Sequence, residues 1–152
     1  MSIGADKHKI SLSIGLSESP DWVFKALTSV DELTKWLVPN IERIDSNDNK
    51  LKFIWPHNSF EVEFLETKPN QRVVMSWYHE KGFGPLISFT LNSMNNSTLV
   101  KFEHDSFSIA SEHLDAYVGH VEGWTMYLCN LKCWVDYGKD LRADQLQGTI
   151  AM

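Results

Sequence analysis

No stretch of this chain approaches the roughly 20 consecutive apolar residues that a membrane-spanning helix needs. Its opening, MSIGADKHKI, lacks the apolar core of a secretory signal. Basic runs are missing too. Fourteen Lys and Arg stand against 20 Asp and Glu, a net charge of −6, and that balance disfavours nucleic acid and anionic membrane surfaces. Neither a nucleic-acid nor a membrane partner is expected. Cysteine is scarce, with only Cys129 and Cys133, four positions apart. A disulfide between residues one helical turn apart would be strained, so two free thiols and a reducing, cytoplasmic setting are expected. There is no HExxH, CxxC or carboxylate-flanked His pair to hold a metal. There is no GxGxxG or P-loop for a nucleotide, and no GxSxG nucleophile elbow. The residues therefore assign no metal, no cofactor and no catalytic group.

What the chain does have is bulk. Hydrophobic residues make up 43% of 152 positions, with six Trp and eight Phe, a composition that excludes disorder and supplies one domain with a real core. The expected organisation is a single domain over 1–152, folded from about 8 to 140, with a tail over 141–152. In the last third, Tyr117, Val121, Trp124, Leu128, Leu131 and Val135 recur three or four apart. That is one face of a long amphipathic helix, from near Ser111 to near Gly138.

The residues before it read as strands and two short helices. Ile10, Leu12, Ile14 and Leu16 alternate with polar neighbours, a half-buried strand. Ser19-Pro20 is an N-cap and first-turn pair opening a helix that buries Val23, Phe24 and Leu27. Ser29 with Glu32 is a capping-box pattern opening a second, through Leu33, Trp36 and Leu37. Six strands follow: 41–44, 51–55, 60–64, 73–77, 86–92 and 98–104, separated by turn formers. Sequential strands with segregated helices predict an α+β fold built on an antiparallel meander.

Five segments then carry a resemblance: VFKALTSVDELTKWL at 23–37, LKFIWP at 51–56, FLETKPNQRVVMSWY at 64–78, STLVKFEHDSF at 97–107 and GWTMYLCNLKCWV at 123–135. In this order they resemble the START/Bet v 1-like helix-grip (SRPBCC) superfamily, and within it the AHSA-type branch of heat-shock-protein-90 ATPase activators. The resemblance implies a curved antiparallel sheet of about seven strands wrapped around a long C-terminal helix. Two short helices would close one end, and a cavity would lie between sheet and helix. It does not imply one activity, because relatives include lipid carriers, hormone receptors, polyketide cyclases and chaperone partners.

Within that frame the candidate cavity lining is aromatic. Trp36 comes from the second short helix, and Phe53, Trp55 and Phe64 from the first long strands. Trp77 and Tyr78 end the next strand, and Phe89, Phe102 and Phe107 lie on the final hairpin. Trp124, Tyr127 and Leu128 face them from the long helix. His104 follows Phe102 by two and shares its sheet face. His120, seven after His113, stands at the edge of the helix's inward stripe. The two best-placed histidines, His104 and His120, suit orienting a ligand or acid/base work near neutral pH. Gly82 and Gly84 flank Phe83 in a loop that reads either as a mobile lid or as an ordinary Gly-containing loop. Glu61, Glu63, Glu103 and Glu122 read as outward.

Met126, Cys129, Cys133 and Tyr137, with Trp134 on one flank, gather on the outer side of the helix. Such a face reads either as scattered surface apolarity or as a covered surface, under the tail (Leu146, Ile150, Met152) or a second subunit, so a homodimer through this face is one open expectation. Three readings stay open: a binding protein for a small hydrophobic or aromatic molecule, a chaperone-associated interaction module, and a cavity enzyme such as a cyclase or hydrolase. The first needs the fewest assumptions.

Overall fold

The computed structural model describes residues 7–44, 46, 49–78, 85–108 and 114–142. Its elements run β1 (Lys7–Leu16), α1 (Pro20–Thr28), α2 (Val30–Trp36), β2 (Asn40–Arg43), β3 (Lys50–Trp55), β4 (Asn58–Lys68), β5 (Arg72–Tyr78), β6 (Leu86–Met94), β7 (Ser97–Ser108) and α3 (Leu114–Tyr137). The seven strands form one antiparallel sheet in the order β1-β7-β6-β5-β4-β3-β2. α1 and α2 carry the chain from one edge to the other, and the meander returns until β7 pairs with β1. This is the α+β helix-grip architecture.

Local chemistry sets the boundaries. At the β6–β7 hairpin, Asn95 and Asn96 both hold positive φ, 49° and 71°, which the right-handed twist of a two-residue turn requires and Asn tolerates. Ser29 caps α2 by accepting from the Glu32 N–H at 3.4 Å. Only half of the expected capping box forms, because the Glu32 carboxylate accepts from the Trp134 indole at 2.8 Å instead. Ser19 stands at the N-cap of α1, but no backbone N–H reaches its hydroxyl, which donates to the Asp21 carboxylate. α3 ends in an αL cap. Gly138 takes φ 67°, its N–H donates to the Trp134 carbonyl at 2.9 Å, and the Lys139 N–H donates to Cys133 at 3.1 Å.

Strand alternation places Phe53, Met75, Trp77, Ile87, Phe89 and Phe102 on the concave face, all buried in the core, with Trp77, Phe89 and Phe102 against Trp124 of α3. A fully buried side chain of this kind contributes on the order of 2 kcal/mol. The opposite face carries charge, with Lys52 across from Glu61 and Lys50 across from Glu63. Glu103, outward as expected, meets Lys9 at 2.8 Å. α3 lays Trp124, Tyr127, Leu128, Leu131 and Val135 into the core. Among the described residues no helix is long and apolar enough to cross a membrane. His113, Gly82, Phe83, Gly84, Leu146, Ile150 and Met152 lie outside the described residues, so the lid and tail expectations fall there too.

Candidate functional site

The concave face and α3 enclose a connected group of rings. Trp77 touches Phe53 at 5.2 Å, Trp55 at 5.9 Å and Phe60 at 5.4 Å between centroids. Across the interior it meets Trp124 of α3 at 5.3 Å. Trp124 in turn lies 4.6 Å from Phe102 and 5.9 Å from Tyr127, and Phe89 packs on Phe102 at 5.3 Å. Most contacts are tilted or edge-on, the arrangement that ring quadrupoles favour.

The polar atoms in this interior are few. The six indole N–H groups divide sharply. Trp22 donates to the Val135 carbonyl at 3.3 Å, Trp36 to Ala26 at 2.9 Å, Trp55 to the Tyr127 hydroxyl at 3.0 Å and Trp134 to Glu32 at 2.8 Å. Trp77 and Trp124 are buried, yet their Nε1 atoms have no acceptor among the described residues. Adjacent ring faces accept only weakly, and a buried donor left without an oxygen costs about 1–3 kcal/mol. Two such donors on rings in contact, 5.3 Å between centroids, are where an added acceptor would gain most.

At one side of the rings stand the histidines. His104 is buried between Ile10 of β1 and Ile87 of β6, and its ring lies 5.9 Å from that of His120. Burial brings His104 down to about 4; the Asp105 carbonyl opposes the fall and His120 adds to it. The ring is therefore neutral at physiological pH. His120 Nδ1 donates to the Ala116 carbonyl one turn earlier, at 2.8 Å.

At another side lies a polar cluster that the sequence reading missed. Asn130, fully buried on α3, donates to the Trp36 carbonyl at 2.8 Å and to Asp140 at 3.0 Å. Its Oδ1 accepts from the Leu141 N–H at 2.6 Å. The buried Arg142 grips Asp140 through Nε at 3.0 Å and donates from Nη2 to the Thr34 carbonyl at 2.8 Å. Burial pushes the Asp140 carboxyl up, but hydrogen bonds from Arg142 and Asn130 outweigh it and leave it below the usual carboxylate value. Burial likewise pushes Tyr127 up to about 12, against the Trp55 hydrogen bond and the Arg142 charge. Asn130 had a legible signal: a polar residue three positions after Tyr127, inside an apolar stripe, needs partners. Arg142 had none, since nothing in its local sequence predicts a return to α2.

The expected lining residues divide accordingly. Phe53, Trp55, Trp77, Phe89, Phe102, Trp124 and Tyr127 come together in one ring group, with Leu128 buried in the same core. Phe60 joins them, a position read only as part of a strand alternation. Trp36 is buried, but its indole closes α2 onto α1. Phe64 is half-buried at a β4 bulge before Glu66. Tyr78 is a correction: alternation puts it on the face opposite Trp77, across from Glu61, so it does not line the interior. The Phe107 side chain lies outside the described residues. On the outer face of α3, Met126 is 46% and Tyr137 67% exposed, and Cys129 and Cys133 are free thiols. Trp134 departs from that face, packing against the core with its indole on Glu32. Among the described residues no group of three or more His, Cys, Asp or Glu is placed to hold a metal.

Comparison with known proteins bears on this geometry. The family described as "Activator of Hsp90 ATPase homolog 1-like protein" matches residues 17–136. The solution structure of the Aha1 dimer from Colwellia psychrerythraea is similar, with a TM-score of 0.75 and 26% identity over 87% of this chain and 98% of that one. Proteins from Staphylococcus saprophyticus (TM-score 0.73, 16% identity, 90% and 97% covered) and Mesorhizobium loti (0.72, 19%, 87% and 99%) share the fold. No curated protein matches significantly.

Proposed function

The chain belongs to the Activator of Hsp90 ATPase homolog 1-like protein family, and from that premise we propose that it binds a small apolar or aromatic molecule between the sheet and α3. One observation carries the reading: the buried indole N–H groups of Trp77 and Trp124, on rings in contact, lack an acceptor among the described residues while the other four indoles have one. Rings supply affinity at about 25 cal/mol per Å² buried, and the two donors orient a ligand oxygen. His104 and His120 form a polar boundary on one side. The reading takes the chain as one START-like domain, and its two free thiols suit a reducing, cytoplasmic setting. His104, held near 4, is far from the poise that acid/base catalysis needs near pH 7, so binding is better supported than turnover.

Native mass spectrometry of freshly purified protein, beside its denatured mass, tests this. A small adduct present natively and lost on denaturation is the expected result. A clean apo mass, together with no binding of added naphthalene-sized aromatics, contradicts it.

A second reading concerns partners. The exposed Met126 and Tyr137 on the outer face of α3, with a similar protein solved as a dimer, favour a homodimer through that face. Tyr137→Glu is the better probe than a change at Trp134, which also breaks the bond to Glu32. Light scattering should show a dimer converted to monomer; a dimer unchanged by Tyr137→Glu excludes this interface. The family description also brings in a chaperone ATPase. An unaltered ATPase rate of the cell's own heat-shock-protein-90 homologue would remove that role.

A further inference from the structure

The Arg142 side chain is wholly buried. Its Nε and Nη2 are satisfied by Asp140 and the Thr34 carbonyl. Nη1, with two N–H donors on a cation, has no acceptor among the described residues. An unmet donor on a charged group is more costly than one on an indole. Arg142 is also held in place: Asn130 fixes Asp140 and Leu141, and Asp140 fixes Arg142. The guanidinium thus cannot swing to solvent without breaking a buried network. Asn130, which donates to the Asp140 that holds it, stands one helical turn from Tyr127 on α3. Tyr127 accepts from Trp55, Trp55 touches Trp77, and Trp77 touches Trp124. The network that holds the guanidinium therefore stands one helical turn along α3 from the ring group that contains the two indoles.

We propose that Arg142 Nη1 is a binding group for the terminal oxygen of an aromatic ligand, a carboxylate or ketone, at the α2 end of the interior. The inference rests on the ligand-binding reading above and names the ligand's chemistry. Asp140 balances most of the guanidinium charge, so a neutral carbonyl is accepted as well as an anion. Removing the Asp140 charge shifts that balance toward the anion.

Three shape-matched probes test it: 2-naphthoate, methyl 2-naphthyl ketone and 2-ethylnaphthalene, titrated by calorimetry into the full chain. The two oxygenated probes should bind about tenfold tighter than ethylnaphthalene, the worth of one hydrogen bond to a charged donor. Arg142→Met should cut that preference several-fold, the indole donors of Trp77 and Trp124 accounting for what remains, and leave ethylnaphthalene unchanged. Asp140→Asn should raise naphthoate affinity relative to the ketone, several-fold. A merely structural Arg142–Asp140 pair would make both variants weaken all three probes alike. Equal binding of the three probes to the parent protein, or an Asp140→Asn variant with an unchanged naphthoate-to-ketone ratio, overturns the role of Arg142 while leaving the interior site standing. Failure of all three probes to bind overturns the interior site itself. Should Arg142→Met not fold, the Asp140→Asn ratio decides alone.

Discussion

From Leu114 to Glu122, α3 has no buried side chain, and Val118 is 53% exposed. From Gly123 to Val135 the same helix buries Trp124, Tyr127, Leu128, Asn130, Leu131 and Val135. Polar contacts follow the same division. Lys132 reaches the Gly15 carbonyl at 2.6 Å, Asp136 accepts from the Ser17 N–H at 2.9 Å, and Trp22 donates to Val135. Trp134 and Asn130 tie the helix to α2. The first half shows hydrogen bonds within the helix, His120 to Ala116 and Thr125 to Val121, and a ring contact to His104. One half of α3 is fastened to β1, α1 and α2; the other packs the half-buried Tyr117 and Val121 against the core and sets His120 beside His104. Local opening draws on the least fastened segments, so, under the proposed binding reading, entry to the interior is expected past His104 and His120, with the Asn130 end shut.

Asn130→Leu should do the most to erase the difference. It strips the Trp36 carbonyl, Asp140 and the Leu141 N–H of their partner at once, and should cost about 3 kcal/mol in urea unfolding. His120→Leu, in the loose half, should cost under about 1 kcal/mol. Equal losses would break the comparison.

Acid should act from the loose side. The fold keeps His104 neutral down to about 4, whereas the unfolded chain takes up that proton near 6.5. Between those values the unfolded state binds more protons, so stability falls as pH drops from about 6.5 toward 4 and then levels off. The full loss is on the order of 2–3 kcal/mol. His120 and Asp105 are the neighbouring groups that modify it. In His104→Gln this segment of the pH–stability profile should flatten; an unchanged slope would show that other groups carry it.

Trp134→Phe keeps the ring and removes the bond to Glu32, and should cost about 1 kcal/mol with faster amide exchange at the α2–α3 contact. Val118→Ser, on the exposed first half, should stay within about 0.5 kcal/mol of the parent. A large loss there would mean that the first half is fastened after all.

The sequence made the architecture legible because its signals are local and periodic. The stripe through Trp124, Leu128, Leu131 and Val135, and the alternation through Phe53, Trp77 and Phe102, each say which face is buried. Tyr78 misled because an aromatic ring reads as apolar whichever side of the strand it takes; its parity with Glu61 was the better guide. Phe60 was visible in its alternation but not as a partner of Trp77. The Asp140–Arg142 cluster was out of reach, since it forms only when the chain beyond α3 folds back on Thr34. Which indoles lack acceptors is likewise a property of assembled geometry, so the two donors at the centre of the site could not be read from six Trp in a list of residues.

The most direct measurement is a ¹H–¹⁵N correlation spectrum of the six indole N–H groups, before and after saturation with methyl 2-naphthyl ketone. The account predicts large shifts of the Trp77 and Trp124 signals, with Trp22, Trp36 and Trp134, already bonded to protein oxygens, staying in place. Stationary Trp77 and Trp124 signals, or movement confined to Trp22 and Trp134, would contradict it.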